Sequence, residues 1–197
     1  MDEVLRDKPF YESSGGGMTL SGGEPLRQVD FADALLTAAM ENQLHCAIET
    51  CGHAPWESFE RILPKLDLVL FDIKETDPAR HLQYTGVDNA LILANLRELH
   101  DAGASVLVRL PIVPGVNDRR DHFRAVAELT ANLPQLLGVE IMPYHPLGRD
   151  KILRLGLPEP SPQLLKAKSP DIREVRSWVK TLTDCGANVI NEDPARS

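Results

Sequence analysis

A chain of 197 residues with 43% hydrophobic and 25% charged residues is long enough for one folded domain with a sizeable core. Its net charge of −8 argues against a nucleic-acid or anionic-membrane partner, which asks for a basic face. No apolar run reaches membrane-span length, the amino terminus is not a signal peptide, and three widely placed cysteines make no disulfide framework, so the expectation is a reduced cytoplasmic protein.

Residues 1–14 read as an opening helix and linker, with Ser13 to Gly17 as a flexible loop, and residues 15–197 read as one (βα) domain. A strand near 18–21 stops at Gly22-Gly23-Glu24-Pro25. The two glycines let backbone approach a ligand, and Pro25 pushes Glu24 out of the helical region. Asp30 is expected to cap a helix whose apolar face carries Phe31, Leu35, Leu36 and Ala39. Strand two is near 45–50 and turns at Cys51-Gly52, and a helix near 56–63 carries Trp56, Phe59, Ile62 and Leu63. Strand three, Leu68 to Lys74, is apolar on both faces and is expected to be buried on both.

Short helical turns precede a helix over about 89–101. Strand four runs from Val106 to Leu110 and gives way to a loop at Pro111-Ile112-Val113-Pro114-Gly115. A helix over about 119–132 leads to strand five at 139–142, followed by Pro143-Tyr144-His145-Pro146. The connection from there to Pro170 carries five prolines, the mark of a functional loop or flap. A last helix covers about 170–184, with a short strand at Val189-Ile190. Regular βα alternation predicts a parallel sheet. The fold class is α/β, a partial, curved (βα) barrel of about five to six parallel strands, too few for a closed eight-stranded barrel.

Glu24, Glu49 with Thr50, Asp72 with Lys74, Arg109 and His145 stand at the carboxyl ends of five successive predicted strands. Asp72 and Lys74 share a face with Leu68 and Leu70, where an unpaired charge is costly. Each has a purely structural reading: an Asp72–Lys74 ion pair, an Arg109–Glu140 salt bridge, a turn closed by His145. Five such groups at one end of one sheet make a ligand site the better reading, and their mixture of charges suits a small zwitterionic or charged ligand. Cys46, Cys51 and Cys185 have no metal-ligand spacing and read as small buried or half-buried side chains.

Together, Ser-Gly-Gly-Glu-Pro at 21–25, Glu-Thr-Cys-Gly at 49–52, Asp-Ile-Lys at 72–74, Arg-Leu-Pro-Ile-Val-Pro-Gly at 109–115 and Met-Pro-Tyr-His-Pro-Leu-Gly at 142–148 resemble the radical S-adenosylmethionine activating enzymes of glycyl radical enzymes, the pyruvate formate-lyase activating enzyme type. Arg6 to Tyr11 followed by three glycines strengthens the likeness, which covers about Leu5 to Ile190. The resemblance implies an incomplete radical S-adenosylmethionine barrel. A [4Fe–4S] cluster would bind the amino and carboxylate groups of S-adenosylmethionine, an electron donor such as flavodoxin or ferredoxin would reduce it, and the resulting deoxyadenosyl radical would take hydrogen from a glycine of a partner enzyme of the pyruvate formate-lyase or dehydratase type.

Carried over by position, Gly22, Gly23 and Glu24 would receive the methionyl amine, and Asp72, Lys74, Arg109 and His145 would hold the carboxylate, ribose and adenine side. Glu49, Thr50, Asp72 and Met142 would line a monovalent cation site, with Glu49 one methylene longer than the aspartate of the pyruvate formate-lyase type. The chain departs from the family in lacking Cys-x-x-x-Cys-x-x-Cys. The expectation is therefore an amino-terminally shortened chain, without cluster ligands and inactive alone. Two other readings stay open: a cluster-less module that binds S-adenosylmethionine or docks a partner, and a barrel lyase using Lys74 as a Schiff-base amine.

Overall fold

A computed structural model describes residues 1–146 and 166–191. Two short helices, α1 (Asp2–Arg6) and α2 (Lys8–Ser14), precede β1 (Gly17–Leu20) and α3 (Val29–Glu41). Then come β2 (His45–Thr50), α4 (Trp56–Ile62), β3 (Leu68–Asp72), α5 (Pro78–Thr85) and α6 (Ala90–Asp101). They are followed by β4 (Val106–Ile112), α7 (Arg120–Ala131), β5 (Gly138–Pro143) and α8 (Ile172–Asp184). The strands make one sheet in sequence order, β1-β2-β3-β4-β5, with the parallel register Met18 to Cys46 and Ile48 to Val69. This is the parallel α/β architecture of a partial barrel. It follows from helices long enough to cross back over the sheet after each strand. The proline-rich connection lies mostly in 147–165, outside the described residues.

Two compact units divide the chain. The first comprises Met1–Asp72, Ala90–Leu107 and Gln135–Leu137, and the second Ile73–Asn89, Val108–Pro134 and Gly138–Ser197. In the first, Leu36, Ile48, Phe59, Ile62, Phe71 and Leu96 are fully buried. In the second, Ile73, Leu110, Ile112, Phe123, Ile141 and Leu182 are. Burying side chains of this size is worth roughly 1.5–3 kcal/mol each.

Several local expectations are corrected. Gln28, not Asp30, is the N-cap of α3, because a 3-10 turn, Pro25–Gln28, comes between the glycine turn and the helix. Asp30 pairs instead with Arg61 at 2.6 Å. Ala32, Leu36 and Ala39 form the buried stripe, and Phe31, one position off it, is 63% exposed. Strand β3 is buried on one face only: Val69 and Phe71 are covered, while Leu68, Leu70 and Asp72 are half-buried and Lys74 beyond it is exposed. The charge at 74 is therefore not sealed in an interior, whereas the half-buried Asp72 keeps its Oδ1 buried. Residues 8–14, read as linker and loop, are helical.

Strand β4 continues through Pro111 to Ile112 rather than stopping at Leu110. Proline removes one backbone donor, but the acceptors around it are engaged. Tyr144 N donates to Ile112 O at 3.0 Å, and the Asn117 amide reaches Pro111 O at 2.8 Å. The last helix is held by a full capping box: Asp171 accepts from Arg173 N and Glu174 N, and Glu174 accepts from Asp171 N. Val189 forms a single parallel bridge to Val139 where a short strand is expected.

Candidate functional site

In the first unit the glycine turn is tied to the end of β2 by one carboxylate. Glu24 Oε1 accepts from Thr50 Oγ1 at 2.9 Å and from Leu26 N at 3.2 Å. Glu24 Oε2 accepts from Cys51 N at 2.9 Å and from Cys51 Sγ at 3.1 Å. Four donors take up the acceptor sites of this side chain, so what it offers a ligand is the backbone it positions. That backbone is open: Gly22 and Gly23 are exposed, their peptide groups have no partner among the described residues, and Gly22 is at φ +123°. Carbonyls left unpaired beside an anionic anchor suit a cationic group such as an ammonium. A cavity of about 520 Å³ runs along this turn, lined by Ser21, Gly23, Glu24, Phe31 and Leu35 among others.

Glu49 is half-buried and accepts a short hydrogen bond from the Ser21 hydroxyl. Thr50 is buried, and its hydroxyl both donates to Glu24 and accepts from Gly52 N at 3.0 Å. Of the four residues expected to line a cation site, Glu49, Thr50 and Asp72 lie in the first unit and Met142 in the second. The loop after β2 is fixed from α6. The buried Asn95 amide donates to Gly52 O at 2.7 Å and Ala54 O at 2.8 Å. Gly52, at φ +75°, has no room for a side chain, since a Cβ would lie 2.2 Å from the Phe71 ring.

Lys74, Arg109, Met142 and His145 belong to the second unit. Arg109 is half-buried in mid-strand on β4 with its Nε 4.0 Å from Glu140, so the salt bridge of the structural alternative is present at the limit of contact. His145 and Lys74 are exposed and Met142 half-buried. Lys74 O accepts from Asn117 Nδ2 at 2.8 Å. Next to it is a buried network with no counterpart in the sequence reading. Arg119 holds Glu75 with both terminal nitrogens, at 2.9 and 3.2 Å. Glu75 also accepts from Thr76 N and Asp77 N. His122 Nδ1 lies 3.4 Å from the same carboxylate and 2.9 Å from the Thr76 hydroxyl.

Burial pushes the Glu75 carboxyl up, but its hydrogen bonds from Arg119 and Asp77, with the Arg119 charge, bring it below the usual glutamate value. Burial holds the His122 imidazole down at about 4.

The cysteines are dispersed. Cys46 is buried, its thiol donating to Leu44 O, and burial followed by the charge of Asp67 pushes its pKa up. Cys51 is engaged with Glu24, a polar role in place of the expected apolar one, and Cys185 caps α8. Among the described residues no three His, Cys, Asp or Glu side chains are grouped to hold a metal ion.

The radical SAM superfamily profile matches residues 2–129. The isethionate sulfite-lyase activating enzyme of Nitratidesulfovibrio vulgaris is 48% identical over 157 residues, 77% of this chain and 50% of that protein. The pyruvate formate-lyase-activating enzyme of Streptococcus mutans is 38% identical over 188 residues, 92% of this chain and 71% of that one. The crystal structure of a domain of pyruvate-formate lyase-activating enzyme from Bacteroides vulgatus aligns with a TM-score of 0.72 at 27% identity, over 89% of this chain and 98% of that one. The chain spans about half the length of the first of these relatives. On the profile match and these relatives, the chain belongs to the radical SAM superfamily and, within it, to the activating enzymes that include the pyruvate formate-lyase-activating enzyme.

Proposed function

We propose that this chain supplies the S-adenosylmethionine-binding part of a protein that activates a glycyl radical enzyme. The observation that carries the reading is the exposed Gly22-Gly23 backbone, held at the end of β1 by the four-donor clamp on Glu24. In this reading the methionyl ammonium meets that backbone edge, where peptide carbonyls and the nearby carboxylates favour a cation. On the family resemblance alone, Lys74, Arg109 and His145 are carried over, with Asp72, as the groups for the carboxylate, ribose and adenine side. Glu49, Thr50, Asp72 and Met142 are carried over from the family resemblance as monovalent cation ligands. The partner would be a glycyl radical enzyme of the lyase or dehydratase type, with flavodoxin or ferredoxin as the electron source.

The family's chemistry also calls for a [4Fe–4S] cluster. This chain's cysteines do not fit one. A cubane needs at least three thiolates at one place, and here one thiol is buried, one is bonded to Glu24 and the third belongs to the C-cap residue of α8. No step through a cluster is assigned to these residues. The 197-residue chain should therefore bind S-adenosylmethionine without cleaving it. Equilibrium dialysis of the chain against S-adenosylmethionine, before and after anaerobic treatment with iron and sulfide, tests both halves. Retained ligand, with iron far below about four per chain, supports the reading. No retained ligand, or a full complement of iron, overturns it.

A further inference from the structure

We propose that Asn117 is a positioning residue for the ligand-binding groups Lys74 and Arg109, a role that rests on the S-adenosylmethionine reading above. Lys74 is exposed, yet its backbone is held at three successive residues. Ile73 N donates to Arg109 O at 2.9 Å, Lys74 O accepts from Asn117 Nδ2 at 2.8 Å, and Glu75 O accepts from Asn89 Nδ2 at 3.1 Å. An ordinary surface lysine needs no such support. Asn117 is 3% exposed and places its whole amide. Nδ2 donates to Lys74 O and to Pro111 O, both at 2.8 Å, and Oδ1 accepts from Val113 N at 2.7 Å. One planar group thus links the residue that carries the exposed ammonium to the strand end just past Arg109. Only an amide offers two donors and an acceptor in this arrangement; a carboxylate would face two carbonyls with oxygen.

The test is a double-mutant cycle on the full chain, with S-adenosylmethionine affinity read by titration calorimetry and folding by circular dichroism. Asn117→Ala should weaken binding by about tenfold. Lys74→Met should weaken it as well, and the double variant should lose less than the product of the two single losses, because part of the Asn117 effect acts through Lys74. If Asn117→Ala fails to fold, Asn117→Ser, which keeps one hydroxyl donor, takes its place in the same cycle. Wild-type affinity in the folded Asn117 variant, an unaffected Lys74→Met, or losses that simply multiply would overturn the positioning role and leave the proposed function standing. No binding by the wild-type chain would overturn the proposed function and this role with it.

Discussion

Arg119 grips Glu75 with two nitrogens, and His122, beside the same carboxylate, stays neutral. Burial is the main reason: the imidazole is fully inaccessible and its Nε2 has no hydrogen-bond partner among the described residues, so charging it would strand a proton in a site of low polarity. Its pKa is held at about 4, against an ordinary 6.5. The depressed value means the unfolded chain takes up a proton that the folded chain refuses. This contribution to stability is complete above pH 6.5 and is lost as pH falls through about 4. Arg80 lies 3.6 Å from Asp121, which with Arg119 completes the charged surroundings, and neither carries the switch. Urea unfolding from pH 7 to 4.5 should show stability falling by up to about 1.4 kcal/mol per pH unit in the lower part of that range. His122→Gln should flatten the slope; an unchanged slope would contradict this assignment. Arg119→Met, which leaves the buried Glu75 charge without its guanidinium, should cost about 3–5 kcal/mol in the same assay. Gly52→Ala should destabilise by about 3 kcal/mol, from left-handed backbone strain plus the clash with Phe71, and thermal melting would show it.

At the scale of elements, buried asparagines fix the loops at strand ends. Asn95 projects from α6 into the loop after β2, while Asn89 and Asn117 hold the segment that follows β3. Asn95→Ala would leave Gly52 O and Ala54 O without their donor, at about 1–3 kcal/mol for each buried acceptor. Amide exchange should speed up at Cys51 to Ala54 while Val69 to Phe71 stays protected; equal protection in the variant would contradict the pinning role.

These elements also show what the sequence reveals. Alternation of strand and helix was readable because apolar periods of two and 3.6 residues report directly on sheet and helix faces. Asn95 was within reach: it shares the apolar stripe of Ile92, Leu96 and Leu99, where a polar side chain must find partners. Asn117 and Glu75 lie in loops, where no period marks burial, and their partners are remote in sequence. Pro111 misled for a related reason. Proline usually ends a central strand, and the side chain that completes the hydrogen bonding around it comes six residues later. The carboxyl-end positions of Glu24 and Glu49 were legible from strand limits, but Arg109 was misplaced there, because β4 runs on through Pro111 to Ile112 and leaves it in mid-strand; that Glu24 turns inward as a clamp was not legible, since it depends on donors from residues 50 and 51.

For the whole molecule, the net charge of −8 leaves the carboxylates without a general counterion, so individual cations such as Arg119 and Arg61 are paired locally. No helix among the described residues is long and apolar enough to cross a membrane. In the proposed reading the glycine edge of the first unit takes the methionyl ammonium, while the chain's three thiols do not suit a cluster. The most direct test is calorimetric titration of the 197-residue chain with S-adenosylmethionine, beside separate titrations with methionine and with adenosine. The account predicts saturable binding of one S-adenosylmethionine per chain, weakened in Arg109→Met and in His145→Ala, with each fragment binding more weakly than the whole. Heats no different from dilution, or binding untouched by both substitutions, would contradict it.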